Sequence, residues 1–138
     1  MTQRALGTKL KIGSGVSAVA IGGLKSISSP SMSQETIDVT TLDSDGGYRE
    51  FIGSFKDGGE VSASGFFNPQ NEGQAAVYEA LENSTDEDFE IEFPAAMKAK
   101  WVFRGVVTAY NTSAELEDAI SFEITIKVSG KPELKITQ

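Results

Sequence analysis

Carboxylates are the principal side chains in this sequence that could carry out chemistry. The 138 residues include no histidine and no cysteine, which removes the commonest general base, the commonest metal ligand and all thiolate chemistry. Asp86, Glu87, Asp88, Glu90 and Glu92 could supply paired carboxylates for acid–base catalysis. Alternation nevertheless places Asp88, Glu90 and Glu92 in a row on the polar face of a predicted strand, as on an ordinary solvated sheet. No motif pairs them with a pocket, so no enzymatic activity is predicted.

Two short motifs match known ligand-binding loops only in part. Residues 43–46, Asp-Ser-Asp-Gly, match the start of a calcium loop, but the third acidic position before the glycine and the spaced bidentate glutamate are absent. Residues 13–18 fit the dinucleotide pattern G-x-G-x-x-G/A, which requires a helix immediately afterwards. β-Branched residues, Gly22–Gly23 and Pro30 argue against that helix. The sequence therefore predicts neither a metal site nor a cofactor.

The acidic charge lies mainly in the second half of the chain. Residues 1–70 hold 7 acidic and 6 basic side chains, whereas residues 71–138 hold 13 and 6, so net charges of −1 and −7 sum to −8. A nucleic-acid binder needs the opposite sign, because its affinity comes from neutralising phosphates with Lys and Arg. Tight DNA binding is therefore not expected. The sequence has no run of eighteen apolar residues and no secretory h-region, so we expect no membrane span and a protein made in the cytosol.

The stretch from Ile37 to Asn68 has the pattern of a strand, a long arm and a second strand. Its flanks, residues 35–42 and 59–68, alternate and are rich in Val, Ile, Thr and Phe. The Gly-Gly pairs at residues 46–47 and 58–59 each follow an aspartate. They predict turns, since glycine permits positive φ.

The arm, about residues 43–58, combines turn residues with apolar side chains. Its middle, residues 48–55, is extended and apolar, yet no segment of matching length lies beside it in the sequence. This combination predicts a segment that is mobile in the isolated protein and docks against another surface. The candidate contact residues are Asp43, Ser44, Asp45, Gly46, Gly47, Tyr48, Arg49, Glu50, Phe51, Ile52 and Phe55.

One helix is predicted, over about residues 69–83. It starts either with Asn68 as N-cap and Pro69 at the first helical position, or with an Asn71-x-x-Gln74 capping arrangement. An apolar stripe on this helix is predicted to pack on a sheet. The stripe consists of Gln74, Val77, Tyr78 and Leu81.

Strand patterns dominate the second half of the chain. Residues 88–93 alternate acidic and apolar side chains. Residues 98–110 also alternate, which predicts that Tyr110 lies on the face opposite Trp101. Because that opposite face is polar at its start and apolar at its end, we expect it to contact a second layer or a second subunit.

The last strand is predicted at residues 120–128, the longest period-two run in the chain. Gly130-Lys131-Pro132 is expected to turn the chain, so that residues 134–136 form a terminal edge. About eight short strands and one helix predict a mainly β fold, an antiparallel sandwich or barrel with one flanking helix. At this length a single domain over residues 1–138 is expected.

The order of these features resembles the major tail tube proteins of long-tailed, non-contractile, siphovirus-type bacteriophages. The resemblance covers nearly the whole chain. The segments that carry it are Ile37–Ser44, Gly46–Ile52, Asp57–Val61, Phe66–Pro69 and Ala119–Val128 followed by Gly130.

The resemblance implies two packed sheets and a helix, with six subunits closing into a ring whose sheets join a continuous barrel. Rings would stack into a tube that carries DNA into the host, and the arm would bridge one ring to the next. Expected partners are further copies of the chain and the tape measure, tail terminator and tail tip proteins, with DNA passing transiently. The protein would lie in the virion tail after assembly in the host cytoplasm. Some family members carry a C-terminal immunoglobulin-like domain, which is not expected here because the sequence stops at Gln138.

The acidity of the chain is compatible with such a conduit. A negative wall repels passing phosphates, whereas a basic lining would hold DNA at many contacts. Which acidic group would face the lumen stays open at this point. The candidates are Asp88, Glu90, Glu92, Glu115, Glu117 and Asp118.

Two alternatives remain from the sequence. The first is a related component on the same fold, such as a tail terminator or a tube protein like that of type VI secretion systems. The second is a monomeric β-barrel that binds a small ligand. Self-association separates the second alternative from a tube protein, since only the tube protein would form rings at high concentration.

Overall fold

The computed structural model describes residues 4–13 and 17–136. These residues form nine strands and one α-helix, together with two short 3-10 turns. The strands are β1 (Lys9–Ile12), β2 (Val19–Ala20), β3 (Leu24–Ile27), β4 (Ser33–Asp38), β5 (Phe51–Asp57), β6 (Glu60–Phe66), β7 (Asp86–Glu92), β8 (Ala99–Ser113) and β9 (Ser121–Ile136), and the helix is α1 (Glu72–Asn83).

Seven strands form a single curled antiparallel sheet in the order β2-β1-β7-β8-β9-β6-β3. The edge strands β2 and β3 are consecutive in the sequence and only residues 21–23 separate them. The curl must therefore bring the two edges near each other. The predicted mainly β fold with one flanking helix is confirmed, although one curled sheet replaces the two packed sheets implied by the resemblance. Residues 14–16 of the candidate dinucleotide motif lie outside the described residues, and the strand β2, not a helix, follows them.

The core lies inside the curl, where every second residue of the long strands points. Alternation places large apolar side chains on this face, and the outer face is polar. Burying them removes apolar area from water, which is the main source of stability. The buried apolar residues are Leu10, Ile12, Ile21, Val61, Ala63, Val77, Ala80, Phe89, Ile91, Phe103, Val107, Phe122, Ile124, Ile126 and Val128.

The helix α1 begins at Glu72 and not at Pro69, because Asn71 is the N-cap. Its side-chain Oδ1 accepts a hydrogen bond of 3.0 Å from the backbone N–H of Gln74, which confirms the second capping arrangement. The buried stripe also differs from the predicted one: Tyr78 is half-exposed, and Ala80 is buried with Val77. At Gly73 the helix lies against the backbone of Ala20 in β2, so this position has no room for a side chain.

Gln74 joins the helix to the seam between the sheet edges. Its side chain is 1% exposed. Nε2 donates to the carbonyls of Gly22 at 2.9 Å and Phe66 at 3.1 Å, and Oε1 accepts from the N–H of Asn68 at 2.9 Å. The sequence pattern placed Gln74 in an apolar stripe. The structure shows instead that it satisfies three backbone groups that would otherwise lack partners.

Two β-bulges change the predicted faces of the long strands. The register of β8 against β9 shifts between Val107 and Ala109, which turns Tyr110 to the core side. There its ring lies 6.2 Å from that of Phe122, so the prediction that Tyr110 lies on the face opposite Trp101 is wrong. Residues 130–132 do not turn the chain either. They form a bulge within β9, which continues to pair with β8 up to Ile136.

We expect Gln74→Glu to destabilise the protein. The substitution keeps the shape but replaces a donor to two carbonyls with a buried carboxylate, which should lower the free energy of unfolding by at least about 2 kcal/mol. Urea unfolding followed by circular dichroism measures the change. Gln70→Glu, at an exposed position, is the control and should stay within about 0.5 kcal/mol of the wild type. Equal stability of the two variants would contradict the role given to Gln74.

We also expect Gly73→Ala to destabilise the protein although alanine favours helices. A Cβ at this position would collide with the backbone carbonyl of Ala20 in β2. Overpacking of this kind typically costs about 1–3 kcal/mol. In contrast, exposed Ala75 should respond only to helix propensity, so Ala75→Gly should cost about 1 kcal/mol. A stability gain in Gly73→Ala would show that the helix can move away from β2.

Candidate assembly surface

The predicted arm is part of a separate two-stranded hairpin. Strands β4 and β5 pair antiparallel, with Ile37 opposite Ile52 and Asp38 opposite Phe51, and among the described residues they form a sheet of their own, separate from the seven-stranded sheet. The expectation that residues 48–55 have no partner is therefore wrong for their strand portion. The partner is β4, which precedes the arm in the sequence. The sequence pattern predicts a longer strand at this place, because the alternation continues to Leu42.

The tip of the hairpin is closed by a network of hydrogen bonds. Arg49 Nη1 donates to Asp38 Oδ2 at 2.9 Å, and Ser44 Oγ donates to Glu50 Oε2 at 2.7 Å. Bonds from Thr40, followed by the guanidinium of Arg49, hold the pKa of Asp38 below its usual value. These contacts join the two sides of the hairpin at its tip.

The partial calcium motif lies in the same tip. Asp45, Gly46 and Gly47 form a 3-10 turn in which both glycines have positive φ, as their sequence predicts. Across the residues that the structure describes, no group of three or more acidic side chains is arranged to hold a metal ion. Asp43 lies in the turn at the tip of the hairpin, and Asp45 is the first residue of the 3-10 turn.

Apolar side chains cover much of the hairpin without being buried. Tyr48 is 78% exposed, Phe55 82%, Phe51 54% and Ile52 52%. Leu42, which the sequence interpretation placed at the end of a strand, is fully exposed at the tip. An isolated two-stranded ribbon is only marginally stable in water, and a patch of this kind marks a contact surface. The hairpin needs another surface to cover it.

The base of the hairpin is attached to the sheet by a small number of contacts. Lys127 Nζ on β9 donates to Asp57 Oδ1 at 3.0 Å. The backbone N–H of Gly59 donates to the same oxygen at 2.7 Å, and these two bonds lower the pKa of Asp57. Gly58 lies against the side chain of Val128, where a Cβ would not fit. The hairpin therefore projects from one point of the sheet.

The row Asp88, Glu90 and Glu92 lies on the outer face of the sheet, as predicted, but it is largely neutralised. Each acid faces a base on a neighbouring strand. The pairs are Asp88–Arg104 at 3.0 Å, Glu90–Lys100 at 3.9 Å and Glu92–Lys11 at 2.8 Å. The sequence signal for these ion pairs is the position of Lys100 and Arg104 on the polar face of β8.

Ion pairing also shifts the protonation equilibria on this face. The hydrogen bond between Lys11 and Glu92 lowers the pKa of the carboxyl and raises that of the amine. Arg104 likewise bonds to Asp86 and lowers its pKa. The outer face therefore keeps its charges at neutral pH and presents them as pairs.

The second acidic group, Glu115, Glu117 and Asp118, lies in the turn between β8 and β9. It is separated from the Asp88 row by about 30 Å along β8. None of its members forms an ion pair with a described residue, and the chain has no base between Arg104 and Lys127. The two candidate groups are thus electrostatically different, which the sequence pattern alone did not show.

Within residues 4–13 and 17–136, no helix is long and apolar enough to cross a bilayer.

Comparison with known proteins identifies the fold and the family. The family model described as lambda phage tail tube protein, TTP, matches residues 12–135. The tail of an empty GTA particle with C6 symmetry has a TM-score of 0.79 at 23% identity, covering 99% of this chain and 100% of the other. The SPP1 tail tube has a TM-score of 0.69 at 13% identity, covering 94% and 78%. A search of curated proteins gave no match.

The likeness also includes contractile systems. The PVC sheath–tube complex of an extracellular contractile injection system contains a chain with a TM-score of 0.69 at 14% identity, covering 94% of this chain and 88% of the other. At these identities the solved structures show a shared fold. Because the family match spans nearly the whole sequence and the fold agrees with it, this chain belongs to the lambda phage tail tube protein family and is a structural component of a tail tube.

Proposed function

We propose that six copies of this chain close into a ring and that rings stack into the hollow tube of a phage tail, through which DNA passes into the host. The C6 symmetry of the GTA tail, which has the same fold, supports the sixfold ring. Family membership supports the tube. The proposed role is structural and not catalytic. The protein would be assembled in the host cytoplasm and would lie in the virion tail.

The observation that carries this proposal is the uncovered hairpin of residues 33–57. In the isolated chain, its apolar side chains face water on a ribbon that has only two strands. A neighbouring subunit in the next ring would bury them and supply the missing stabilisation. Arg49 and Glu50 are already bonded within the tip, so they would orient the contact more than strengthen it.

The outer face of β7 and β8 is the proposed channel lining. Its bases are already paired with the Asp88, Glu90 and Glu92 carboxylates, so they have little capacity left to neutralise phosphates. DNA would therefore slide along a hydrated, mixed-charge wall without tight binding. We therefore propose a wall of paired charges, whereas the sequence alone predicts an acidic one.

The tube would meet other tail proteins at its ends and along its lumen. A terminator and a tip protein would cap the two ends, and a tape measure protein would occupy the lumen during assembly. The structures of a PVC sheath/tube terminator and of the anti-feeding prophage cap each contain a chain of this fold, with TM-scores of 0.73 and 0.70. The family match over residues 12–135 favours the tube subunit over these end components.

The small-ligand barrel is disfavoured by the packing of the interior. Fifteen buried apolar side chains fill the curl of the sheet. The cavities bordered by described residues are clefts at the surface, not a central pocket. A ligand-binding barrel would need an enclosed internal cavity.

Replacing Tyr48, Phe51 and Ile52 together by Ser should abolish tubes while leaving the core folded. These side chains lie outside the core, so thermal unfolding of the sheet should stay within a few degrees of the wild type. Negative-stain electron microscopy of concentrated protein measures the tubes. The control is the conservative triple variant Tyr48→Phe, Phe51→Leu and Ile52→Val, which keeps the apolar area and should still polymerise. If the serine variant forms normal tubes, the proposed role of the hairpin is wrong.

Replacing Asp88, Glu90 and Glu92 by Lys should slow DNA ejection from virions. The change removes the partners of the existing bases and turns the face basic, so DNA would be held at many contacts, more strongly at low salt. Ejection rate measured by dye binding to released DNA tests this. The matched control, Asn at 88 and Gln at 90 and 92, removes charge without reversing it and should have the smaller effect. If lysine variants with normal tubes eject at the wild-type rate, the lumen lies elsewhere.

A further inference from the structure

The turn between β8 and β9 presents a leucine surrounded by acids. The backbone N–H of Asp118 donates to the carbonyl of Glu115 at 3.2 Å, which places Leu116 at a corner of the turn. Leu116 is fully exposed, and Glu117 lies beside it in the turn. A fully exposed leucine buries no apolar area within the monomer. We refer to residues 115–118 as the Leu116 tip.

A cavity of complementary character lies near the opposite end of β8. It measures about 320 Å³, which is large enough to admit a leucine side chain. Its apolar walls include Leu24, Ile27, Phe93 and Met97. Phe93 and Met97 come just before β8, whereas the Leu116 tip comes just after it, so about 45 Å of strand separates the two features.

The rim of this cavity is basic. Arg4 and Lys25 border it, and none of the described residues that line it is acidic. Lys25 also lies over the ring of Phe66, with its Nζ 5.7 Å from the centroid, which holds the charge at the edge of the sheet. We refer to the cavity with these two residues as the Arg4 pocket.

We infer that the Leu116 tip of each subunit inserts into the Arg4 pocket of a subunit in the next ring. The inference rests on the proposed stacking of rings. It commits the occupant to a second copy of this chain, because the tip is both apolar and acidic and the pocket is both apolar and basic. The two surfaces differ and lie at opposite ends of β8, so the contact is head-to-tail and repeats without closing.

This contact would give the tube its direction. In the opposite orientation two Leu116 tips, or two Arg4 pockets, would face each other, and like charges would repel. The hairpin would supply apolar area between rings, while the Leu116 tip would decide which end of a ring can accept the next one. Growth from mixed orientations is thereby disfavoured.

Charge reversal tests the pairing. The tip variant carries Glu115→Lys, Glu117→Lys and Asp118→Lys, and the pocket variant carries Arg4→Glu and Lys25→Glu. Each variant alone should form rings, while the concentration needed for tubes should rise by about a hundredfold or more, because like charges now meet. An equimolar mixture should form tubes again, since each reversed tip then meets a reversed pocket. Electron microscopy and sedimentation measure rings and tubes.

The apolar half of the contact has its own test. Leu116→Asp should block stacking and leave rings intact, whereas Leu116→Met keeps an apolar side chain and should permit tubes. The pairing would be overturned if either charge variant formed tubes at the wild-type concentration. It would also be overturned if both variants formed rings but their mixture formed no tubes. In both cases the tail tube function would stand. Wild-type protein that forms neither rings nor tubes would overturn both proposals.

Discussion

The structure depends on closing a curled sheet whose two edges never pair with each other. Strands β2 and β3 lie at opposite edges of the sheet, and a short link joins them. The amide of Gln74 bonds to the carbonyl of Gly22 in this link, to the carbonyl of Phe66 at the end of β6 and to the N–H of Asn68. The side chain of Asn71 accepts from the N–H of Gly22 at 3.2 Å. Because buried backbone groups are costly without partners, this polar contact allows the helix to close the seam. The apolar core lies inside this closed shape.

The hairpin of β4 and β5 lies outside the closed sheet. The seven-stranded sheet uses its inner face for the core, and its outer face along β7 and β8 carries paired charges. The hairpin contacts the sheet near Asp57 and Gly58, and its apolar residues Tyr48 and Phe55 stay in water. In a monomeric protein these exposed apolar side chains would lower solubility. In a subunit of an assembly they serve as contact area.

Charge is distributed along the fold according to what each surface meets. On the outer face, Lys11, Lys100 and Arg104 neutralise the acids opposite them. At the turn between β8 and β9, Glu115, Glu117 and Asp118 have no such partners. The net charge of −8 therefore does not describe each surface of the protein. On the surface proposed to meet DNA, acidic and basic side chains are paired. The excess of acidic side chains lies on the helix and at the strand ends.

The sequence by itself determined the elements whose signals are local. Period-two alternation predicted β7, β8 and β9, the Asn71-x-x-Gln74 pattern predicted the helix start, and the order of motifs predicted the tail tube family. Such signals act within a few residues, so one chain segment is enough to show them.

Only the tertiary structure decided the features that depend on distant residues. The pairing of β4 with β5, the bulge that turns Tyr110 inward, the role of Gln74 and the ion pairs of Asp88, Glu90 and Glu92 each join segments that are separate in the sequence. The physical reason is that a strand pattern specifies which faces are apolar but not which strand lies alongside, and a charge has no partner until the register of the sheet brings one opposite it.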